Sequence, residues 1–420
     1  MKLTGSFTTP GDKSISHRIA LLSLLAKGTC RVSGYSDGDD CASSLKAIQS
    51  LGVEIKRDAD ALVLAGIEGK TGSKNPFFIN CGNSGTTMRI LTGILAGMDG
   101  EFVLDGDSSL QKRPMDRIAI PLNQMGADIS TKNGYPPVRI VGRSLHGIEY
   151  TLPVPSAQLK SAILLAGIQA GSLTKVEEPH QSRDHTERLL KLCGADIRRD
   201  GVTWIVSKSG IKLPDECSIP GDPSSAAFFI CGTSIIQGSD LIANNILLNP
   251  TRIHWCGILK RMGASVEINV KSENPEPVGR ISGLSSGELK PVEINADEIP
   301  LVVDEIPILA LVATQCKGTS IFRNISELRI KETDRIAALV SELGKMGAIL
   351  HTDGDDLIIE GPTRLIPPES QLDSFGDHRI AMTLAIAGIV AGVRVEIKDY
   401  DCTGISYPGF TSTLESLISD

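Results

Sequence analysis

Six apolar segments of one design recur along the 420 residues, and that recurrence limits the fold more than any other feature. They are HRIALLSLLAKG ending at Gly28, MRILTGILAG at Gly97, LKSAILLAGIQAG at Gly171, AAFFICGTSIIQG at Gly238, IPILALVATQCKG at Gly318 and RIAMTLAIAGIVAG at Gly392. Each reads as a buried helix closed by a glycine stop. The closing glycines fall 67 to 80 residues apart. A second series runs between them: IQSLGVEI (48–55), LNQMGADI (122–129), LLKLCGADI (189–197), LKRMGASVEI (259–268) and LGKMGAIL (343–350). Each predicts an amphipathic helix that stops at glycine and runs into a strand. One unit is then two helices plus several short strands, used six times. The last second-series helix, TSTLESLISD, ends the chain without its strand. The N-terminal KLTGSFT is expected to complete that sixth unit and so bring the termini together.

A higher symmetry overlies the repeat. Pro-Gly-Asp occurs at Pro10–Asp12 and again at Pro220–Asp222, each time directly before one of the apolar helices. Paired Pro-Gly turns at equivalent points predict two crossings between two three-unit domains. One domain would run over 12–221 and the other would combine 1–11 with 222–420, with hinges near 10–12 and 220–222.

A net charge of −8 argues against a nucleic-acid surface as the main business, though not against a local cationic pocket. The longest apolar run, AMTLAIAGIVAGV (381–393), is too short to span a bilayer, and Asp12, Lys13 and Arg18 interrupt any leader-like N-terminus. The nine cysteines stand singly and the seven histidines show no HxH or HExxH spacing. Neither zinc nor a disulfide framework is suggested, and reduced thiols point to the cytoplasm. Gly5, Gly11 and the Lys13-Ser14 pair resemble a phosphate loop, but Asp12 intervenes and the spacing fails.

Polar residues gather just upstream of the apolar helices. Lys13, Ser14 and Arg18 lie in DKSISHR, Asn83 to Arg89 in NSGTTMR, Ser156 to Lys160 in PSAQLK, Asp304 in VVDEIP, and Asp377, His378 and Arg379 in GDHR. Serine, aspartate and asparagine there are explained by capping alone. Lysine and arginine are not, because the helix N-terminus already carries partial positive charge. Cations at that end call for a compensating anion. Arg113 and Arg117 in LQKRPMDR, and Arg329, Lys331, Glu332 and Arg335 in LRIKETDRI, add to the pattern. Lys331 and Arg335 would share a helix face if that turn is helical. Glu332 among cations is a candidate acid/base group.

PGDKSISHR, GNSGTTMR, KRPM, SAQLK, RIKETDR and GDHRIAM, in this order, resemble the 5-enolpyruvylshikimate-3-phosphate synthase family over essentially the full chain. GDK, SRDHTE, SAQLK and NPTR are similar to its class II subgroup. The resemblance implies an α/β (α+β) fold: a two-domain inverse α/β barrel, each domain built from three βαβαββ repeats. It implies enolpyruvyl transfer from phosphoenolpyruvate to the 5-hydroxyl of shikimate 3-phosphate, on the shikimate pathway to chorismate and the aromatic amino acids. The family works by addition–elimination without metal or cofactor, and acts on small molecules rather than nucleic acid or membrane; a monomer is expected. Carried over by motif, Lys13 would touch both substrates. Ser14, Arg18, Ser156, Ala157, Gln158, Ser182, Asp304 and Lys331 would serve shikimate 3-phosphate. Gly85, Arg113, Gln158, Arg335 and Arg379 would serve phosphoenolpyruvate. Asp304 would take the hydroxyl proton and Glu332 would move the methylene proton. Glyphosate, longer than phosphoenolpyruvate, occupies the same pocket in the family.

Three departures from the family pattern stand out. Ile405 replaces a lysine, Glu327 an asparagine and His185 a tyrosine. The competing readings are a UDP-N-acetylglucosamine enolpyruvyl transferase, whose usual cysteine is missing from GDSSLQKRP, and a noncatalytic six-repeat clamp.

Overall fold

The computed structural model describes residues 1–71 and 76–419. The chain packs into two compact units: Gly11–Ile219, and Met1–Pro10 together with the chain from Pro220 onward. The α/β repeat is plainest where it is contiguous. In the first unit, strand Phe77–Asn80, helix Gly85–Leu95, strand Glu101–Asp105, helix Asp116–Gln124 and strands Asp128–Lys132 and Tyr135–Val141 follow in order. The first two strands pair parallel, Phe77 opposite Phe102, because a helix crosses over between them; Tyr135–Val141 pairs antiparallel with Asp128–Lys132 through a short turn and, on its other edge, with Glu101–Asp105. The same βαβαββ order recurs from Glu149–Thr151 to Thr203–Val206, and in the other unit from Glu293–Ile294 to Asp356–Gly361.

Two repeats borrow their first strand from elsewhere in the chain. The repeat holding helix Lys13–Leu22 takes Glu216–Ser218, which pairs parallel with Thr29–Ser33. The repeat holding helix Pro223–Ile235 takes Lys2–Phe7, which pairs parallel with Asp240–Leu247. The N-terminal strand therefore belongs to the fourth repeat, not the sixth as its sequence position suggested. Packing decides this: the Phe7 ring lies 4.8 Å from Phe229 of the Pro223–Ile235 helix, and Leu3 is fully buried. The termini do meet, since Lys2 and Leu3 pair antiparallel with Ser419 and Ile418.

The first-series helices are buried on nearly every side; Ile306–Ala313, with all eight residues enclosed, is accordingly apolar all round. The second-series helices stop as their pattern predicts. Gly52, Gly126, Gly194, Gly263 and Gly347 follow the helix ends with φ between +80° and +107°, the left-handed stop that favours glycine. The first series differs. Gly392 is such a stop, with the Val393 N–H donating to the Gly388 carbonyl at 2.9 Å. Helix Lys13–Leu22 instead tightens well before Gly28, where the Ser23, Leu24 and Leu25 N–H groups donate three residues back.

One close approach positions the site. A Cβ added at Gly93 would stand 2.3 Å from the Ala162 carbonyl oxygen, so helices Gly85–Leu95 and Ala157–Gly167 touch backbone to backbone. Their first turns are thereby brought within side-chain reach of one another. The nine cysteines are all free, and no helix among the described residues is long and apolar enough to cross a membrane.

Candidate active site

In the Gly11–Ile219 unit, the Asp12 carboxylate caps helix Lys13–Leu22 by accepting from the Ile15 N–H at 2.8 Å. Lys13 and Ser14 therefore head that helix, and Lys13 Nζ lies 3.0 Å from the Asp40 carboxylate. Arg18, one turn on and 3% exposed, is fixed from three sides. Its Nη1 donates to the Ser14 carbonyl at 3.0 Å, its Nε to Thr186 Oγ1 at 2.6 Å and its Nη2 to Ser161 Oγ at 3.0 Å. Arg183 Nη1 donates to Ser14 Oγ at 3.4 Å.

Ser84 caps helix Gly85–Leu95, accepting from the Thr87 N–H. A Cβ at Gly85 would stand 3.3 Å from Arg113 Nη1 and 3.6 Å from Arg89 Nη1, so two guanidinium groups flank the first turn. Arg113 Nη2 donates to Asn83 Oδ1 and Arg89 Nη1 to Gln158 Oε1, both at 2.7 Å. Gln158 Nε2 in turn donates to Thr86 Oγ1 at 2.9 Å. Two guanidinium groups beside a helix N-terminus make a place for an anionic oxygen cluster. Ser156 caps helix Ala157–Gly167, and the buried Ser182 donates both its N–H and its hydroxyl to Glu178 Oε1.

In the other unit, Asp377 caps helix His378–Val390 and also accepts from Arg335 Nε at 2.7 Å. Arg335 Nη2 donates to Glu332 Oε2 at 2.7 Å, and its Nη1 is 3.8 Å from Asp304 Oδ1. Arg379 holds the same aspartate, Nε 3.3 Å from Oδ1 and Nη1 donating to its backbone carbonyl. Burial opposes the charge on Arg335, but Asp377, Glu332 and Asp304 outweigh it and hold the guanidinium firmly protonated. Its Nη1 is buried and finds no hydrogen-bond acceptor among the described residues. That leaves a donor for a ligand oxygen, beside two carboxylates able to move protons.

The motifs thus bring Ser14 to Arg18, Gly85 to Arg113, Gln158 to Arg89 and Asp304 to Arg335. Lys331 differs from its helical reading. Residues 331–334 are not helical, helix Arg335–Lys345 begins only at Arg335, and Lys331 Nζ pairs with Glu327 Oε1 at 2.6 Å. Carboxylates of the protein also supply part of the compensation expected from an anion, Asp40 at Lys13 and Asp377 at Arg335. Lys160 is enclosed between Glu178 and Glu187 rather than open to a ligand. Arg183 was not singled out from the sequence, and Arg89 was named among the cations at helix starts without being assigned a ligand. Arg89 sits four residues after Gly85 and so on the same helix face, a spacing that could have marked it.

A family model described as EPSP synthase (3-phosphoshikimate 1-carboxyvinyltransferase) matches residues 1–414. A 3-phosphoshikimate 1-carboxyvinyltransferase of Geobacillus kaustophilus is 44% identical over 420 residues, covering 99% of this chain and 98% of that relative. The enzyme of the same name from Thermodesulfovibrio yellowstonii is 45% identical over 427 residues, covering 99% and 97%. Among solved structures, an EPSP synthase from Acinetobacter baumannii superposes with a TM-score of 0.87 at 37% identity, over 99% of this chain and 96% of that one. The enolpyruvyl transferase NikO of Streptomyces tendae, at 19% identity and a TM-score of 0.80, shares the fold. With matches of this extent, the chain belongs to the EPSP synthase (3-phosphoshikimate 1-carboxyvinyltransferase) family.

Proposed function

We infer that this chain transfers the enolpyruvyl group of phosphoenolpyruvate to the 5-hydroxyl of shikimate 3-phosphate and releases phosphate. The reaction lies on the shikimate pathway to the aromatic amino acids. The observation that carries the reading is the full-length family match. The Arg335 cluster supports it chemically: a buried cation with an uncommitted Nη1, flanked by Asp304 and Glu332.

In this proposal Lys13, Ser14, Arg18, Ser156, Ala157, Gln158, Ser182, Asp304 and Lys331 hold shikimate 3-phosphate. Lys13, Gly85, Arg113, Gln158, Arg335 and Arg379 hold phosphoenolpyruvate. Arg89 and Arg183 join them on the contacts described above. The 5-hydroxyl oxygen attacks C2 of phosphoenolpyruvate as Asp304 takes its proton, and C3 gains a proton delivered by Glu332. The methyl group so formed then returns a proton to Glu332 while the C2–O bond to phosphate breaks. The arginines stabilise the charge that gathers on the departing phosphate. Lys13 Nζ, three-donor and pointlike, suits contact with both ligands.

We also propose that residues 12–221 carry much of the shikimate 3-phosphate set, and 1–11 with 222–420 the Asp304–Glu332 set, in a cytoplasmic monomer. A noncatalytic clamp has no use for paired carboxylates on a buried arginine. A UDP-N-acetylglucosamine substrate is not what the relatives' names support. Phosphate release from phosphoenolpyruvate tests the proposal directly. Release is expected with shikimate 3-phosphate and not with UDP-N-acetylglucosamine; the reverse, or release with neither, would overturn it.

A further inference from the structure

Two motifs interlock behind the shikimate 3-phosphate residues. Lys160, at the fourth position of helix Ala157–Gly167, is fully buried, and its Nζ lies 2.8 Å from Glu178 Oε2 and 2.7 Å from Glu187 Oε1. Both carboxyl groups are enclosed as well, at 1% and 0% side-chain exposure. The next residue, Ser161, bonds to Thr186 Oγ1 at 2.6 Å, and Thr186 accepts from Arg18 Nε. Consecutive residues of SAQLKSA thus grip consecutive residues of SRDHTE.

The two carboxyl groups are not equivalent. Burial raises the pKa of Glu187 more than Lys160 brings it back, so Glu187 is driven toward the protonated form. Glu178, by contrast, accepts on both oxygens: Oε2 from Lys160, and Oε1 from the N–H and the hydroxyl of Ser182. A hydroxyl that donates to a carboxylate turns its lone pairs outward, which is the wrong face for an anionic ligand. For Ser182 to donate to shikimate 3-phosphate, its proton must swing away from Glu178. Glu178 tolerates that loss only because Lys160 and the Ser182 N–H still satisfy it, since an enclosed carboxylate short of donors is costly.

We propose that Lys160 is a positioning residue: it neutralises and fixes Glu178, so that the Glu178–Ser182 turn keeps its shape while the Ser182 hydroxyl is released to the ligand. The proposal rests on the assignment of shikimate 3-phosphate to Ser182. Lys160 itself touches no substrate.

The test uses the full chain and three readouts: melting temperature, Kd for shikimate 3-phosphate alone by titration calorimetry, and KM for phosphoenolpyruvate at saturating shikimate 3-phosphate. Lys160→Met combined with Glu187→Gln removes the cation together with the carboxyl that burial already drives toward its neutral form, so that Glu178 is left with the Ser182 donors in place of its lysine. Shikimate 3-phosphate should bind at least about 10-fold more weakly, with KM for phosphoenolpyruvate within about 2-fold of wild type. A lower melting temperature with unchanged Kd would mean that the cluster only holds the fold, and would overturn the proposal. Should the double variant not fold, Glu178→Gln decides, because its amide oxygen cannot serve Lys160 and Ser182 together. It must weaken shikimate 3-phosphate binding selectively, and an unchanged Kd would again overturn the proposal. Wild-type phosphate release, run alongside, separates either failure from failure of the functional reading.

Discussion

Glu332 accepts from Arg335 Nη2 at 2.7 Å and its side chain is 20% exposed, so a ligand can reach it. Glu332→Gln keeps that shape and removes the proton transfer, and turnover should fall by about 10²–10⁴-fold. Shikimate 3-phosphate should still bind, as calorimetry on the variant will show; near-normal turnover would remove Glu332 from the mechanism. Gly85→Ala is a steric matter. The new Cβ would stand 3.3 Å from Arg113 Nη1, so the guanidinium must give way slightly. The KM for phosphoenolpyruvate should therefore rise modestly, and the inhibition constant of the longer glyphosate by a larger factor. Equal factors, measured in parallel inhibition and saturation assays, would contradict the placement of Gly85 against the ligand. At this scale the sequence reveals cations and carboxylates but not their partners. Lys160 reads like another ligand-binding lysine at a helix start, because Glu178 and Glu187 are brought to it only by the packed loop and helix that follow.

Local pattern makes the elements legible, and tertiary pairing does not show in it. The five glycine stops of the second series could be read directly, since a left-handed residue after a helix leaves little choice of side chain. The partner of the N-terminal strand could not, because the contact between Phe7 and Phe229 spans more than half the chain. A buried chain of hydrogen bonds shows the same limit. His17 Nδ1 meets Ser44 Oγ at 2.7 Å, Ser44 meets Thr87 Oγ1 at 2.8 Å, and Thr87 donates to Ser84 at 2.8 Å. Three helices are tied together this way: Lys13–Leu22, Asp39–Ser50 and Gly85–Leu95. Burial is the main reason the His17 pKa falls to about 3, and its Nε2 has no hydrogen-bond partner among the described residues. The folded state thus resists a proton that the unfolded chain accepts near pH 6.5. The resulting stability is complete above that value and is lost progressively as the pH falls toward 3. Between pH 7 and pH 5 the protein should lose about 2 kcal/mol through this group. Chemical denaturation across that range should show the slope in the wild type and its loss in His17→Asn.

For the whole molecule, the proposed reaction requires residues of both units to act on one pair of substrates. Binding both ligands should then draw the units together about the two Pro-Gly-Asp segments, in the manner of hinged closure. Small-angle scattering should report a smaller radius of gyration with both substrates than with neither, and unchanged dimensions would count against this. The repeat, the two crossings and the motifs made that expectation available from the sequence. Less legible were the borrowed strands Lys2–Phe7 and Glu216–Ser218, each of which completes a sheet of its own unit shortly before one of the two Pro-Gly-Asp segments. The central claim is the transfer of a carbon fragment rather than a phosphoryl group, and the fate of one oxygen tests it. Phosphoenolpyruvate carrying heavy oxygen at the bridge between C2 and phosphorus should be turned over with shikimate 3-phosphate, and the released phosphate analysed by mass spectrometry. The heavy oxygen is expected to leave with phosphate, because the C2–O bond breaks. Heavy oxygen retained in the organic product would mean that the phosphorus–oxygen bond was cut, and would contradict that claim.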